Sequence, residues 1–317
     1  MGSPDVSQAS RVHVLITGGH GLIGHGVSQR LLADGHRVTL LDLPRFGLPE
    51  RVRDAAESPD LIEADILDVD VWGDVLDDVD VIVHTAGIHQ VDEVARDSVR
   101  HIDVNVTGTH KLLMAAQAHD VGRFIYLSSA KVYGHGYGRA SAESDLVSPI
   151  ESYALGKVVA EHYCAHVNRE FGIETCSIRP FSVYGPGQDT HTGYIGALLE
   201  SLRRGQRVVL SGDADFVRDF VHIDTVVDLC VRATLSAAAP PLLLNAGSGE
   251  ATTLGQLVAA FETVTDRRLG VSFRDPRPGT LRFTLADTQQ MQDFSWPHMP
   301  QLEQGILETV TAELGAP

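Results

Sequence analysis

Cysteine is scarce in this chain of 317 residues: there are three, Cys164, Cys176 and Cys230. An odd number, set in apolar or helical surroundings without metal-ligand spacing, argues against a disulfide scaffold and suits free thiols in a reducing compartment. Basic residues are also outnumbered, 25 Lys and Arg against 42 Asp and Glu, for a formal net charge of −17. A surface that acidic repels phosphate backbones and anionic lipid, so neither nucleic acid nor a membrane is expected as a partner. Net charge does not describe a single pocket, however, and a few converging arginines still suffice to bind a phosphorylated ligand. No apolar run approaches the length of a membrane span. Internal repeats and low-complexity segments are lacking too. Residues 1–10 are polar and read as a flexible tail rather than a signal peptide. A soluble, cytoplasmic protein is the expectation.

What the chain does have is a repeated alternation of short apolar runs and helical spacing. Residues 12–17 (VHVLIT) form a β-branched run, followed at once by a glycine cluster and then by helical spacing over 27–33 with Gly35 as a stop signal. A second apolar run over 37–43 contains Asp42 near its end. Strand, glycine turn, helix, strand is the βαβ unit of a parallel sheet. The pattern recurs with strands at 79–85, 123–128 and 174–179 and long helices at 99–119 and 153–171; runs this apolar suit strands covered on both faces. After Pro180 the chain becomes richer in Gly, Pro and polar residues. The expected architecture is α/β: a Rossmann-like doubly wound parallel sheet over 11–180, with a smaller α/β substrate domain over 181–317 partly interleaved with it.

The glycine cluster Thr17-Gly18-Gly19-His20-Gly21-Leu22-Ile23-Gly24 satisfies G-x-x-G-x-x-G through Gly18, Gly21 and Gly24. Glycine is needed there because side chains would block the turn and hold a pyrophosphate away from the backbone and from the helix N-terminus. Asp42 is placed to accept from adenosine ribose hydroxyls, and a carboxylate there repels the 2′-phosphate of NADP, which favours NAD. Arg45 keeps NADP open. Asp65, with Ile66 beside it, is either an adenine partner or an ordinary strand-end turn aspartate.

Tyr153 and Lys157 lie at i and i+4, on one face of a helix. A nearby ammonium, with a second cation from a nicotinamide ring, favours the phenolate, and the pair can then take a proton from a hydroxyl as hydride leaves its carbon. Alone, this spacing is a common coincidence; behind a dinucleotide fingerprint it is not.

With TGGHGLIG (17–24), HTAG (84–87), SSAKVYG (128–134), YALGK (153–157), RPFSVYGPG (179–187), RDFVHID (218–224), NAGSG (245–249) and RPG (277–279) in this order, the chain resembles the extended short-chain dehydrogenases/reductases, and among them the NAD-dependent epimerase/dehydratase family acting on nucleotide-sugars. The resemblance implies Ser129 as the catalytic hydroxyl, with Ser128 as the adjacent structural alternative, Tyr153 as general acid/base and Lys157 as the residue that holds the nicotinamide ribose. It implies a cofactor pocket of Gly18, Gly21, Leu22, Ile23, Gly24, Asp42, Asp65, Ile66, Ala86, Gly87, Asn105, Tyr153, Lys157 and Pro180. It places Ser129, Ser182, Arg218 and Arg277 at the substrate, the two arginines on a nucleotide diphosphate. It also implies a homodimer paired through the helices at 99–119 and 153–171.

The chain departs from the family pattern at three places. Ser182 stands where asparagine is frequent, which leaves the sugar open. Ala130 and Lys131 stand where 4,6-dehydratases carry an Asp-Glu pair, so no acid is present to expel water, and the glutamate of sugar-acid decarboxylases is missing as well. Thr280 follows RPG where an acidic residue is usual. Epimerisation, foremost at C4, therefore leads; a nucleotide-sugar 4-ketoreductase or dehydrogenase and a non-catalytic NAD-binding regulator are the alternatives. No metal is expected: His162 and His166 lie at i, i+4, but without the glutamate or third ligand of a zinc site, and read as a solvated or interface face.

Overall fold

The computed structural model describes residues 11–44, 58–89, 94, 96–136, 138–190, 193–276, 280–295 and 297–315. The tail at 1–10 lies outside them. The chain opens with β1 (His13–Thr17), α1 (Leu22–Ala33), β2 (Arg37–Asp42), β3 (Asp60–Glu63) and β4 (Val81–His84). Helices α2 (Ser98–Ile102) and α3 (Thr109–Ala118) lead to β5 (Arg123–Leu127), then α4 (Ser152–Phe171) and β6 (Glu174–Pro180). The second half adds β7 (Ser182–Tyr184), α5 (Gly193–Arg204), β8 (Val208–Ser211), β9 (Val217–Arg218), β10 (Phe220–His222) and α6 (Ile223–Leu235). It closes with β11 (Leu243–Ala246), β12 (Thr252–Thr253), α7 (Leu254–Thr265), β13 (Val271–Arg274) and α8 (Leu302–Leu314).

Seven strands form one parallel sheet in the order β11-β6-β5-β4-β1-β2-β3. The architecture is the α/β, Rossmann-like one read from the sequence. Strands β1 and β4 are buried along their whole length, as continuous apolar runs must be when helices cover both faces. One face buries Val14, Ile16, Val38 and Leu40 with Val27 and Leu31 of α1; the other buries Leu15, Leu41 and Ile82 with Leu112, Leu113 and Trp72. Strand order reverses between β1 and β4, and the carboxyl ends of these strands open the crevice where this fold binds dinucleotides.

The second half has a core of its own around Leu198, Leu199, Leu257 and Phe261. It also returns to the first: α6 packs on α1, and β11 extends the sheet beside β6. A cut after residue 180 would therefore take a strand and a helix from the first core. Small parallel pairs, β7 with β10 and β8 with β13, lie outside the main sheet.

One difference from the sequence reading bears on the site. The stretch read as one α-helix over 99–119 is interrupted by a π-helical segment, Asp103–Gly108, between α2 and α3. The Thr109 hydroxyl donates to the Asn105 carbonyl at 2.9 Å, at the junction of this segment with α3. Wide turns of this kind recur at functional sites, and this one carries Asn105.

Candidate active site

The glycine turn closes the carboxyl end of β1 against the segment after β4. Gly18 has φ of +72°, and a Cβ there would lie 2.6 Å from the Ala86 amide nitrogen. At Gly24, in the first turn of α1, a Cβ would lie 2.5 Å from the Gly18 carbonyl oxygen and 2.7 Å from the Thr85 hydroxyl. Side chains are excluded on both sides, which leaves the backbone cradle and helix N-terminus that a pyrophosphate needs. The residues present therefore fit a dinucleotide. Leu22 and Ile23 open α1, Ala86 and Gly87 follow β4, Ile66 is buried in the second core face and Pro180 ends β6.

Asp42 ends β2 beside this turn. One carboxylate oxygen accepts from the His20 amide at 2.9 Å and the other from the Leu43 amide at 2.8 Å, so Asp42 also braces the glycine loop. Both oxygens of Asp65 have protein partners: Arg100 pairs with one, and the Leu67 amide donates to the other at 3.0 Å, the geometry of a turn aspartate. Arg45 lies outside the described residues.

Asn105 is buried and works as a clamp. Its amide oxygen accepts from the Ile88 amide, and its amide nitrogen donates to the Ile88 carbonyl, both at 2.8 Å. It thereby fixes the segment carrying Ala86 and Gly87. His84, the first residue of the HTAG motif, ends β4. Its ring is fully buried, 2.6 Å from the Thr17 hydroxyl and 2.9 Å from that of Thr109. Burial, with the Lys157 cation adding, pushes its pKa down to about 3, so it is a neutral tie between β1, β4 and α3.

The three proposed catalytic side chains converge at the carboxyl end of β5. Ser129 caps a short 3-10 turn and accepts from the Lys131 amide at 3.2 Å. Its hydroxyl lies beside the phenol of Tyr153, where it works to lower the pKa of that phenol. One helical turn on, buried Lys157 donates to the Leu127 carbonyl at 2.6 Å, with its ammonium 4.6 Å from the Tyr126 ring and 5.8 Å from the Tyr153 ring. Burial pulls Lys157 down to about 8, against the pull of the Glu161 carboxylate.

In one respect the geometry corrects the expected electrostatics. Tyr153 is pushed up to about 12, chiefly by burial; the Ser129 hydroxyl works against this, and the Glu151 carboxylate adds to it. Lys157 is aimed at the Leu127 carbonyl rather than at the phenol oxygen, so it does not by itself produce a phenolate. Lys131 also lies near the phenol, its ammonium 5.5 Å from the Tyr153 ring and 2.6 Å from the Glu151 carboxylate.

The sugar-side residues are held differently. Ser182 opens β7, and its amide donates to the Asp219 carbonyl at 2.9 Å. Arg218 is buried in β9 and donates to the Val217 and Leu281 carbonyls at 2.8 and 2.5 Å, with the Tyr194 hydroxyl at 3.4 Å. Arg277 lies outside the described residues. Asp219, which sequence reasoning passed over although it adjoins Arg218, is wholly buried. Its carboxylate accepts from the Ser248, Gly249 and Ala286 amides at 2.7, 3.0 and 3.1 Å, pinning the NAGSG turn beneath the sugar side. His162 and His166 are exposed on α4.

The sequence profile of the NAD dependent epimerase/dehydratase family matches residues 14–247. A UDP-glucose 4-epimerase of Mycolicibacterium smegmatis is 33% identical over 306 residues, covering 94% of this chain and 97% of the relative. Among solved structures, the Thermus thermophilus UDP-glucose 4-epimerase in complex with NAD superposes with a TM-score of 0.87 at 28% identity, over 96% of this chain and all of the other. The UDP-N-acetylglucosamine 4-epimerase of Methanobrevibacter ruminantium, in complex with UDP-N-acetylmuramic acid, superposes with a TM-score of 0.88 at 26% identity, covering 96% of this chain and 98% of the other.

Proposed function

The chain belongs to the NAD dependent epimerase/dehydratase family, and on that premise we propose that it is a nucleotide-sugar epimerase acting at C4. The observation that carries this reading is Tyr153 one helical turn before Lys157, whose ammonium lies 5.8 Å from the Tyr153 ring and donates to the Leu127 carbonyl at 2.6 Å, at the carboxyl end of β5 beside the glycine cradle. Bound NAD, held by the cradle, Asp42 and Lys157, supplies reversible hydride acceptance. As the phenolate that the Lys157 ammonium and the cofactor's own cation together would favour, Tyr153 takes the proton of the sugar hydroxyl and later returns it; Ser129 donates to the same oxygen as it becomes a carbonyl. Water is excluded by the buried floor of Tyr126, Leu127 and Lys157. A keto-sugar that turned over in the site would meet the same Tyr153 and Ser129 from its opposite face, where Tyr153 would return the proton, so that none would be lost overall.

NAD rather than NADP is supported by the Asp42 carboxylate at the end of β2. UDP-sugars are the substrates suggested by the relatives. A homodimer is supported by exposed Val99 and Ile102 on α2 and Leu155 on α4, 67%, 52% and 55% accessible, an apolar surface that a second copy would cover. No helix among the described residues is long and apolar enough to cross a membrane. A cytoplasmic site of action is in keeping with three buried, free cysteines.

The test is incubation of the purified enzyme, with no nucleotide added, with a panel of UDP-, dTDP- and GDP-sugars, followed by NMR. C4 epimers are expected to form at the expense of substrate with NAD retained. Strict dependence on added NADPH overturns the reading, and a monomer by light scattering overturns the dimer.

A further inference from the structure

A buried carboxylate that this mechanism does not use lies directly beneath its parts. Glu161 is on α4, eight residues past Tyr153 and four past Lys157, and is 7% exposed. It forms a two-point ion pair with buried Arg179 of β6, at 2.9 and 2.6 Å, and accepts a hydrogen bond from the Ser128 hydroxyl. Ser128 sits between Leu127, whose carbonyl receives the Lys157 ammonium, and Ser129. Two successive turns of α4 therefore grip the strand end: Lys157 holds Leu127 and Glu161 holds Ser128, with the Tyr153 phenol beside Ser129. Beyond Glu161, Arg179 donates to the Tyr133 hydroxyl at 2.9 Å, and Tyr133 donates to Asn245 at 2.7 Å. The grip is thus anchored to β6 and β11.

We propose that Glu161 is a positioning residue for the epimerase reaction, setting the register of the Leu127–Ser128–Ser129 strand end against α4 and facing the Lys157 ammonium with a fixed negative charge. This rests on the epimerase reading above. The ionisable groups that face Lys157 come from every neighbouring element: His84 on β4, His101 on α2, Tyr126 on β5, and Tyr153, Glu161 and Cys164 on α4. Both histidines are held toward their neutral forms by burial and by Lys157 itself. Glu161 supplies the carboxylate, and its charge favours the ammonium that burial opposes. Arg179 pairs with that carboxylate at a depth where a lone charge would be costly.

The experiment exploits a feature of the composition: only Lys111, Lys131 and Lys157 are lysines. Full-length enzyme with its bound nucleotide, labelled with 13C-lysine, gives three side-chain signals, and Lys157→Met deletes and so assigns one. Glu161→Gln alone strands a buried guanidinium, so the informative variant is the double E161Q/R179Q, which removes both charges. In it the Lys157 signal is expected to titrate about one pH unit or more lower. Its kcat falls about tenfold above neutrality, with KM for the nucleotide-sugar unchanged. Glu161→Asp restores the Lys157 titration. Ser128→Ala leaves the ion pair intact and isolates the register effect, lowering kcat several-fold while the Lys157 titration stays in place; it also serves if the double variant does not fold. Wild-type Lys157 titration in the double variant, or wild-type kcat in Ser128→Ala, overturns the proposal. If no nucleotide-sugar is epimerised while Lys157 still shifts, the epimerase reading fails and the placement of Glu161 stands.

Discussion

At the dinucleotide end of the site, Gly18 and Gly24 leave empty the places where a Cβ would meet Ala86, Thr85 or the Gly18 carbonyl, and the binding surface is backbone. At the end proposed for the sugar, Arg218 and Asp219 are buried side chains already bonded to carbonyls and amides of 217, 248, 249, 281 and 286. The first surface follows from strand order, since any chain wound this way opens a crevice between β1 and β4. The second follows from which loops happen to meet there. A backbone cradle binds what all dinucleotides share, whereas side chains braced by loops can be retuned without disturbing the sheet. The difference teaches where cofactor choice is rigid and where substrate choice is adjustable.

Tyr153 stands at the junction, and its loss should stop the chemistry while leaving the dinucleotide end intact. Tyr153→Phe is expected to lower kcat by about 10³ while leaving bound NAD and the melting temperature unchanged, measured by turnover of a nucleotide-sugar and by nucleotide release on denaturation. Retained turnover would move the proton transfer to Ser129 or to water.

Next comes the cradle. Gly24→Ala drives a methyl group into the Gly18 carbonyl and Thr85 hydroxyl, a clash worth about 1–3 kcal/mol, and is expected to yield enzyme without nucleotide. Gly122→Ala is the control: φ there is not in the left-handed region, and the nearest atom to its Cβ lies at an ordinary 3.8 Å. Equal NAD content in the two variants would show that the cradle is not backbone-limited.

The pH profile probes the floor between the two ends. Lys157 is held at about 8, below the ordinary lysine value, so its ammonium is present below that pH and is lost above it. Activity should therefore decline from about pH 8 upward, by about tenfold per unit, in kcat measured with saturating sugar. A plateau extending past pH 10 would remove Lys157 from the rate-limiting proton transfer.

How much of this could be read from the sequence follows from how far apart the partners lie. The glycine turn, the Tyr153–Lys157 spacing and the strand-helix alternation are each local, within a turn or a repeat, and a local period survives in one dimension. The π-helical turn is different: Asp103–Gly108 carries the same helical spacing as the residues on either side, and nothing in that period marks the wider turn. Tyr133 and Asn245 are 112 residues apart, and Asp219 meets an amide 67 residues away; no spacing rule connects such pairs. Arg218 shows the limit from the other side. Its motif was visible, but the carbonyls that occupy its donors were not.

That occupancy makes Arg218→Met a sharper probe than a simple loss-of-binding test. If the guanidinium reaches the diphosphate, KM should rise about tenfold with kcat little changed. If it serves only to join β9 to residue 281, the melting temperature should fall while KM holds. The two outcomes assign Arg218 to the substrate or to the scaffold, and with it the extent to which the sugar end resembles the rigid cradle.

The smallest expected effect bears on adjustability itself. Ser182 is half-buried at the start of β7, and its backbone amide, not its side chain, holds the register with β10 by donating to the Asp219 carbonyl. A side chain free of that duty can be exchanged without moving the strand. Ser182→Asn should therefore leave melting temperature and NAD content unchanged while altering the ratio of kcat/KM between two nucleotide-sugars by a few-fold, since one added amide gains or loses about one hydrogen bond to a sugar hydroxyl. Competition between a UDP-hexose and its N-acetylated counterpart reads the ratio directly. An unchanged ratio would mean that β7 faces away from the sugar, and selectivity would then have to come from elsewhere, Gln188 beyond β7 and Tyr194 in the first turn of α5 being the next candidates.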